Sequence, residues 1–240
     1  MEKKLDISVI SPVFNELENL ETFVESVTAV MNSTNMSWEL IIVDDGSNDG
    51  SSKILKKIGH QENIRSILLS KNYGQTTAIQ AGFDNAVGEY FVTLDSDLQN
   101  DPKDIPMLIQ KLINEELDLV VGWRKDRKDN YFFRNLPSIL ANKLIGTITG
   151  VKLHDYGCSL KVYRAEVLKE VKLYGEMHRF IPAWMATKIP ASKISEIEVT
   201  HHPRIAGESK YGISRTFRVF VDLISVYFFM KFFSLSLIHI

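Results

Sequence analysis

Apolar residues along this 240-residue chain gather into short continuous runs separated by stretches of helical period. Runs at residues 7–11, 38–43, 64–69, 90–94 and 117–122 read as strands, and amphipathic stretches at 17–31, 50–59, 76–86 and 104–114 read as helices between them. A strand covered on both faces has no polar side with which to alternate. Continuous apolar runs spaced by helices therefore imply an α/β fold with a mostly parallel sheet flanked by helices. Pro106 falls in the first turn of the helix at 104–114, where a missing backbone donor costs little.

After Trp123 the pattern changes. Residues 124–130 form a charged run without period, and 131–146 resume as an amphipathic helix interrupted near Pro137. A strand at 159–163, a helix at 165–171 and an edge strand at 194–202 complete the reading. No internal repeat, low-complexity segment or linker divides the chain, so a single catalytic domain is expected over residues 1–212, followed by an amphipathic segment over 213–240. From residue 219 onward the only charged side chains are Asp222 and Lys231, and the basic residues Lys210, Arg215 and Arg218 precede them. Three readings of this tail stand open: an interfacial helix whose basic start meets anionic lipid, a chain cut just before spanning helices, or a last helix packed on the core.

Composition adds exclusions. A net charge of −2 argues against a general polyanion-binding surface, and the basic residues are local, around Arg124 to Arg134 and Arg204 to Arg218. The single cysteine, Cys158, leaves no intramolecular disulfide, and the charged start Met1 to Asp6 runs directly into a strand without a secretory signal. Both point to a reducing, cytosolic setting. No segment reaches the roughly 18 uninterrupted apolar residues of a spanning helix.

The candidate chemistry sits where the apolar runs stop. The run at 90–94 breaks into Asp95-Ser96-Asp97-Leu98-Gln99, delivering two carboxylates one residue apart at a strand exit, where both can face one divalent cation. An Asp-x-Asp alone is shared with ordinary solvated acidic turns. A second acidic strand end, Val43-Asp44-Asp45-Gly46-Ser47, gives it meaning, because the carboxyl ends of parallel strands line one crevice. The first strand exits through Ser11-Pro12-Val13-Phe14-Asn15-Glu16, which offers a rigid turn, an aromatic face for a base and a carboxylate; Asn15 as a helix cap with Phe14 in the core is the plainer alternative.

Together these three exits resemble the GT-A type inverting glycosyltransferases, the family that includes dolichol-phosphate mannose synthase. The resemblance implies that Pro12, Phe14, Glu16, Val43, Asp45, Asp95 and Ser96 surround a nucleotide. It also implies Mg²⁺ or Mn²⁺ on Asp97 and Gln99, beside Asp95. Hard oxygen ligands suit those ions, which stabilise a departing nucleoside diphosphate. Further segments, Lys71-Asn72-Tyr73-Gly74-Gln75, Asp155-Tyr156-Gly157-Cys158, Arg179-Phe180-Ile181-Pro182 and Gly207-Glu208-Ser209-Lys210-Tyr211, look like the bacterial polyprenyl-phosphate glycosyltransferases, the undecaprenyl-phosphate 4-deoxy-4-formamido-L-arabinose transferases among them.

That likeness implies a UDP-sugar donor, an undecaprenyl-phosphate acceptor, and work at the cytoplasmic face of a bacterial inner membrane. By resemblance Arg204 and Lys210 hold the donor diphosphate, Arg124 lies near the site and Arg134 meets the lipid phosphate, with Ser138 adding a hydroxyl. The Gly207 and Gly212 hinges let Lys210 close over the donor. A phosphate acceptor is already largely dianionic near neutral pH, so Asp155, a base by position, is read equally as an orienting acceptor. Two alternatives stay in view: transfer to a glycan hydroxyl with Asp155 as base, and a nucleotide-sugar-binding protein without turnover. His201 and His202 read as strand-end residues facing opposite sides rather than a metal pair, and Cys158 as a packing residue.

Overall fold

The protein is seen in a computed structural model that describes residues 5–125, 145–146, 150–169, 171, 173, 175, 177–203 and 228. Chain order is β1 (Ile7–Val13), α1 (Leu17–Asn32), β2 (Trp38–Asp44), α2 (Ser51–Ile58), β3 (Ile64–Leu68), α3 (Gln75–Asn85), β4 (Tyr90–Thr93), α4 (Ile105–Asn114), β5 (Leu119–Trp123), β6 (Lys161–Arg164), α5 (Ala165–Leu168), α6 (Ile181–Met185) and β7 (Ile194–Glu198). Short 3₁₀ turns at Pro102–Asp104, Met177–Phe180 and Ala191–Lys193 precede α4, α6 and β7.

These strands form one seven-stranded sheet in the order β3-β2-β1-β4-β6-β5-β7. β1 pairs in parallel with both β2 and β4, β2 with β3, and β5 with β7; β6 runs antiparallel between β4 and β5. The chain winds outward from β1 to β3, then crosses back to lay β4 on the other side of β1. That reversal is the switch point at which open α/β sheets form their crevice.

The core explains the continuous apolar runs. Every residue of β2 is buried, because the strand has neighbours on both edges and covered faces. α1 turns Leu20, Phe23, Val24, Val27 and Met31 inward at helical spacing. Phe83 of α3 stacks on Phe91 of β4 at 5.9 Å and meets Tyr163 of β6 edge-on at the same centroid distance, which locks the helix over the sheet centre.

At the opposite rim from the crevice, buried Glu39 accepts from Ser8 Oγ (2.6 Å), Arg65 Nη1 (3.0 Å) and the Val87 amide (3.0 Å), so its charge is matched by three donors.

The strands and long helices lie where the apolar pattern predicts, with ends shifted by one or two residues. The helical turns over 177–185 were not anticipated, since they are too short to show a period. The final strand stops at Glu198, and beyond it His201 forms an isolated antiparallel bridge with Asn100. Of the helix expected over 131–146, only residues 145–146 are described, and they are helical. The tail expected over 213–240 lies outside the described residues apart from exposed Phe228. Among the described residues no helix is long and apolar enough to cross a membrane.

Candidate active site

The crevice is floored by the exits of β1, β2 and β4. Pro12 lies opposite Val43 in the β1–β2 ladder, and the Asp45 amide donates to the Val13 carbonyl at 2.8 Å, so the two exits leave the sheet side by side. Their loops are then laced together. Asn15, in the left-handed region at φ 53°, donates from its amide to Ser47 Oγ (2.9 Å) and accepts from the Asn48 amide (2.9 Å). Asp44 accepts from the Ser47 amide (3.0 Å) and from the Ser52 hydroxyl. Glu16 accepts from Asn19 Nδ2 at 2.8 Å. Val43 contributes a fully buried side chain, whereas Phe14 and Glu16 are half-buried at the rim.

Asp45 is held from the next loop. Both of its carboxylate oxygens accept backbone amides, Tyr73 at 2.7 Å and Gly74 at 2.9 Å. Burial pushes its pKa up from the ordinary value in spite of those two donors. The loops touch backbone to backbone: Gly46 has φ +71°, and a Cβ built on it would stand 2.4 Å from the Lys71 carbonyl carbon.

Asp95 and Asp97 leave the end of β4. Asp95 Oδ1 accepts from Gln75 Nε2 at 2.8 Å, and the Asp95 amide meets Ser159 Oγ at 3.4 Å. Ser96 is buried, its hydroxyl 3.3 Å from the Pro12 carbonyl, and Asp97 Oδ1 accepts from the Gln99 amide at 3.2 Å. Burial, and then the negative charge of Asp97, push Asp95 up to about 6.

Because β6 runs antiparallel, its beginning rather than its end reaches this rim. Thr93 faces Lys161, and the segment 155–160 enters the crevice beside Asp95. Arg124, just past β5, grips Asp155 with Nε to Oδ2 at 2.7 Å and Nη2 to Oδ1 at 3.0 Å. Both side chains are largely buried, and although burial works against the charge, Asp155 holds the guanidinium firmly protonated. Lys161 is 3% exposed; its ammonium donates to the Cys158 carbonyl, and burial lowers its pKa. Cys158 is buried and pushed up by that burial, in keeping with a packing role.

The structure thus gathers Pro12, Phe14, Glu16, Val43, Asp45, Asp95, Ser96, Asp97, Gln99, Arg124 and Asp155 onto one rim. Arg134, Ser138, Arg204 and Lys210 lie outside the described residues. His202 Nε2 sits 3.1 Å from Asp101 Oδ2, and the His202 amide donates to the Gln99 carbonyl at 2.7 Å.

Three contributors escaped sequence reading: the Tyr73 and Gly74 amides, Ser159, and buried Lys161. Backbone donors leave no side-chain signal, but a lysine inside the apolar run Leu160-Lys161-Val162-Tyr163 is a visible anomaly.

The residues fit a divalent cation. Asp95 and Asp97 present hard carboxylate oxygens one residue apart at one strand exit; burial first, and then the Asp97 charge, disfavour the ionised Asp95, and a cation offsets both. Among the described residues no group of three or more His, Cys, Asp or Glu side chains could hold a metal alone. A cation here would need oxygens from elsewhere, as Mg²⁺ commonly takes from substrate phosphates.

Comparison with known proteins is consistent with this arrangement. Residues 8–172 match the family model described as glycosyl transferase family 2. The chain is 56% identical over 232 residues to the dodecaprenyl-phosphate galacturonate synthase of Rhizobium johnstonii, covering 96% of this chain and 69% of that protein. It is 38% identical over 221 residues to an undecaprenyl-phosphate 4-deoxy-4-formamido-L-arabinose transferase of Aeromonas hydrophila, covering 91% and 67%. Among solved structures, glucosyl-3-phosphoglycerate synthase of Mycobacterium tuberculosis in complex with Mn²⁺, UDP and glucosyl-3-phosphoglycerate aligns with a TM-score of 0.70 at 17% identity, over 94% of this chain and 80% of that one.

Proposed function

This chain belongs to glycosyl transferase family 2, and from that premise we propose that it moves a sugar from a UDP-sugar to a polyprenyl phosphate with inversion. The observation that carries the donor half is that Asp45 and Asp95, at strand exits on either side of β1 at the switch point, are both held by the one segment Tyr73–Gln75, with Asp97 beside Asp95. The acceptor half rests on the two relatives, both named for transfer to a polyprenyl phosphate. The higher identity to a galacturonate synthase favours a uronic acid over a formamido-arabinose as the sugar.

In this reading Pro12, Phe14, Glu16, Val43, Asp45 and Ser96 surround the nucleoside, and Arg204 and Lys210 hold its diphosphate. Asp95, Asp97 and Gln99 would hold Mg²⁺ or Mn²⁺, which when bound supplies positive charge to the departing diphosphate. A phosphate oxygen of the acceptor attacks the anomeric carbon in line; the new carbon–oxygen bond forms as the bond to the diphosphate breaks, and that electron pair leaves on the diphosphate. Arg134 and Ser138 bind the acceptor phosphate, with Arg124 beside them.

An acceptor that is already an anion has no proton to give up. Asp155, with both oxygens in the fork of Arg124, accordingly aims that guanidinium rather than acting as base. A lipid acceptor places the reaction at a membrane surface, at the cytoplasmic side where nucleotide sugars are made, and residues 213–240 are read as a juxtamembrane segment.

The test is turnover across UDP-galacturonate, UDP-4-deoxy-4-formamido-L-arabinose, UDP-glucose and GDP-mannose with Mn²⁺, each with and without undecaprenyl phosphate. Lipid-dependent turnover of one uridine donor, lost in Arg134→Ala, is expected. Transfer to water or to a glycan hydroxyl at the same rate without lipid would overturn the acceptor assignment.

A further inference from the structure

The stretch Tyr73–Thr76 touches three separate parts of the molecule. The Tyr73 and Gly74 amides hold Asp45, Gln75 Nε2 holds Asp95 at 2.8 Å, and Thr76 Oγ1 lies 2.7 Å from His178 Nδ1. Gly74, with φ +96°, makes the turn that lets successive residues address different strand ends, and Gln75 is the first residue of α3. Thr76 and His178 are both buried, so their bond ties the first turn of the helix to the 3₁₀ turn at Met177–Phe180. Helix ends fray unless anchored, and this end carries the donor to Asp95.

The chemistry of that donor matters. An amide is neutral, so it fixes a carboxylate oxygen without cancelling the negative charge of the acid pair, whereas a lysine or arginine in the same place would compete with a cation.

We propose that Gln75 is a positioning residue of the donor site: it fixes the orientation of Asp95 by occupying Oδ1, while the Thr76–His178 bond holds the helix turn from which Gln75 reaches. The proposal rests on the reading of this crevice as a nucleotide-sugar site. Because Gln75 acts through Asp95, its loss falls on donor binding and not on the acceptor.

The experiment is calorimetric binding of UDP in the presence of Mn²⁺ to the wild type, Gln75→Met, Gln75→Glu and Thr76→Val, with melting temperatures and steady-state kinetics alongside. Gln75→Met keeps the side-chain volume and removes the donor; UDP Kd and donor KM are expected to rise together by about tenfold, with kcat within about twofold. Gln75→Glu adds a like charge; it weakens UDP binding further while binding Mn²⁺ alone at least as tightly as the wild type, a split that a packing defect does not produce. Thr76→Val gives a smaller loss in the same direction.

A folded Gln75→Met protein that binds UDP as the wild type does would overturn the proposal and leave the donor-site reading intact. A wild type that fails to bind UDP with Mn²⁺ overturns the donor-site reading itself. Should Gln75→Met fail to fold, Gln75→Glu decides by the same comparison.

Discussion

Replacing Asp95 by asparagine is expected to make the metal-free protein more stable at neutral pH, although it removes a residue of the candidate site. Burial and the charge of Asp97 raise the Asp95 pKa from 3.8 to about 6 in the folded chain. A folded-state pKa above the unfolded one means that the ionised carboxylate opposes folding. The penalty is absent below pH 3.8, grows as pH rises towards about 6, and is complete above it.

At about 1.4 kcal/mol per tenfold change in proton affinity the ceiling is about 3 kcal/mol. Partial contact of the residue with solvent brings the expected value to about 1–2 kcal/mol. Asp95→Asn keeps an oxygen for Gln75 Nε2 and sheds the charge.

Urea unfolding in EDTA measures this at pH 5 and pH 7.5. The variant should exceed the wild type by about 1–2 kcal/mol at the higher pH and by less at the lower. With Mn²⁺ added the order should reverse, since only the wild type gains from the cation. A variant less stable than the wild type at pH 7.5 in EDTA, or a difference independent of pH, would refute the argument.

Further expectations concern the other parts of the rim. Arg124→Met leaves Asp155 buried without its fork and should cost about 3–5 kcal/mol in urea unfolding, whereas Arg124→Met with Asp155→Leu should cost clearly less than the single change. Gly46→Ala forces a Cβ against the Lys71 backbone at a positive φ; a loss of about 1–3 kcal/mol and weakened UDP binding are expected in melting and calorimetry. Stripping metal with EDTA should abolish sugar transfer, and Mn²⁺ or Mg²⁺ should restore it in a direct turnover assay.

Much of the donor half was legible in the sequence for a physical reason. Strands buried on both faces must be apolar throughout, so their ends show as abrupt changes to acids and glycines, as at Val43-Asp44-Asp45 and Leu94-Asp95. The direction of β6 was not legible, because Lys161–Arg164 carries the same residue types whichever way it runs. Nor were the grips on Asp45, which come from amides that every residue except proline possesses. Gln75 stood in a recognised segment, yet its partner is 20 positions away and is chosen by the packing of α3 on the sheet.

The reversed strand β6 also acts as a spacer. It keeps β4, which ends in the acid pair, and β5, which leads to Arg124, two strand widths apart, about 9–10 Å. Across that interval the Arg124 charge still draws the Asp95 pKa down, but by less than burial and Asp97 push it up. The strand therefore sets a fixed interval between the acids on one bank and the guanidinium on the other. The two banks also come from different parts of the chain, residues up to about 100 on one and residues beyond 120 on the other. A substitution at Arg124 or Asp155 therefore leaves intact the hydrogen bonds that residues 73–75 make to Asp45 and Asp95.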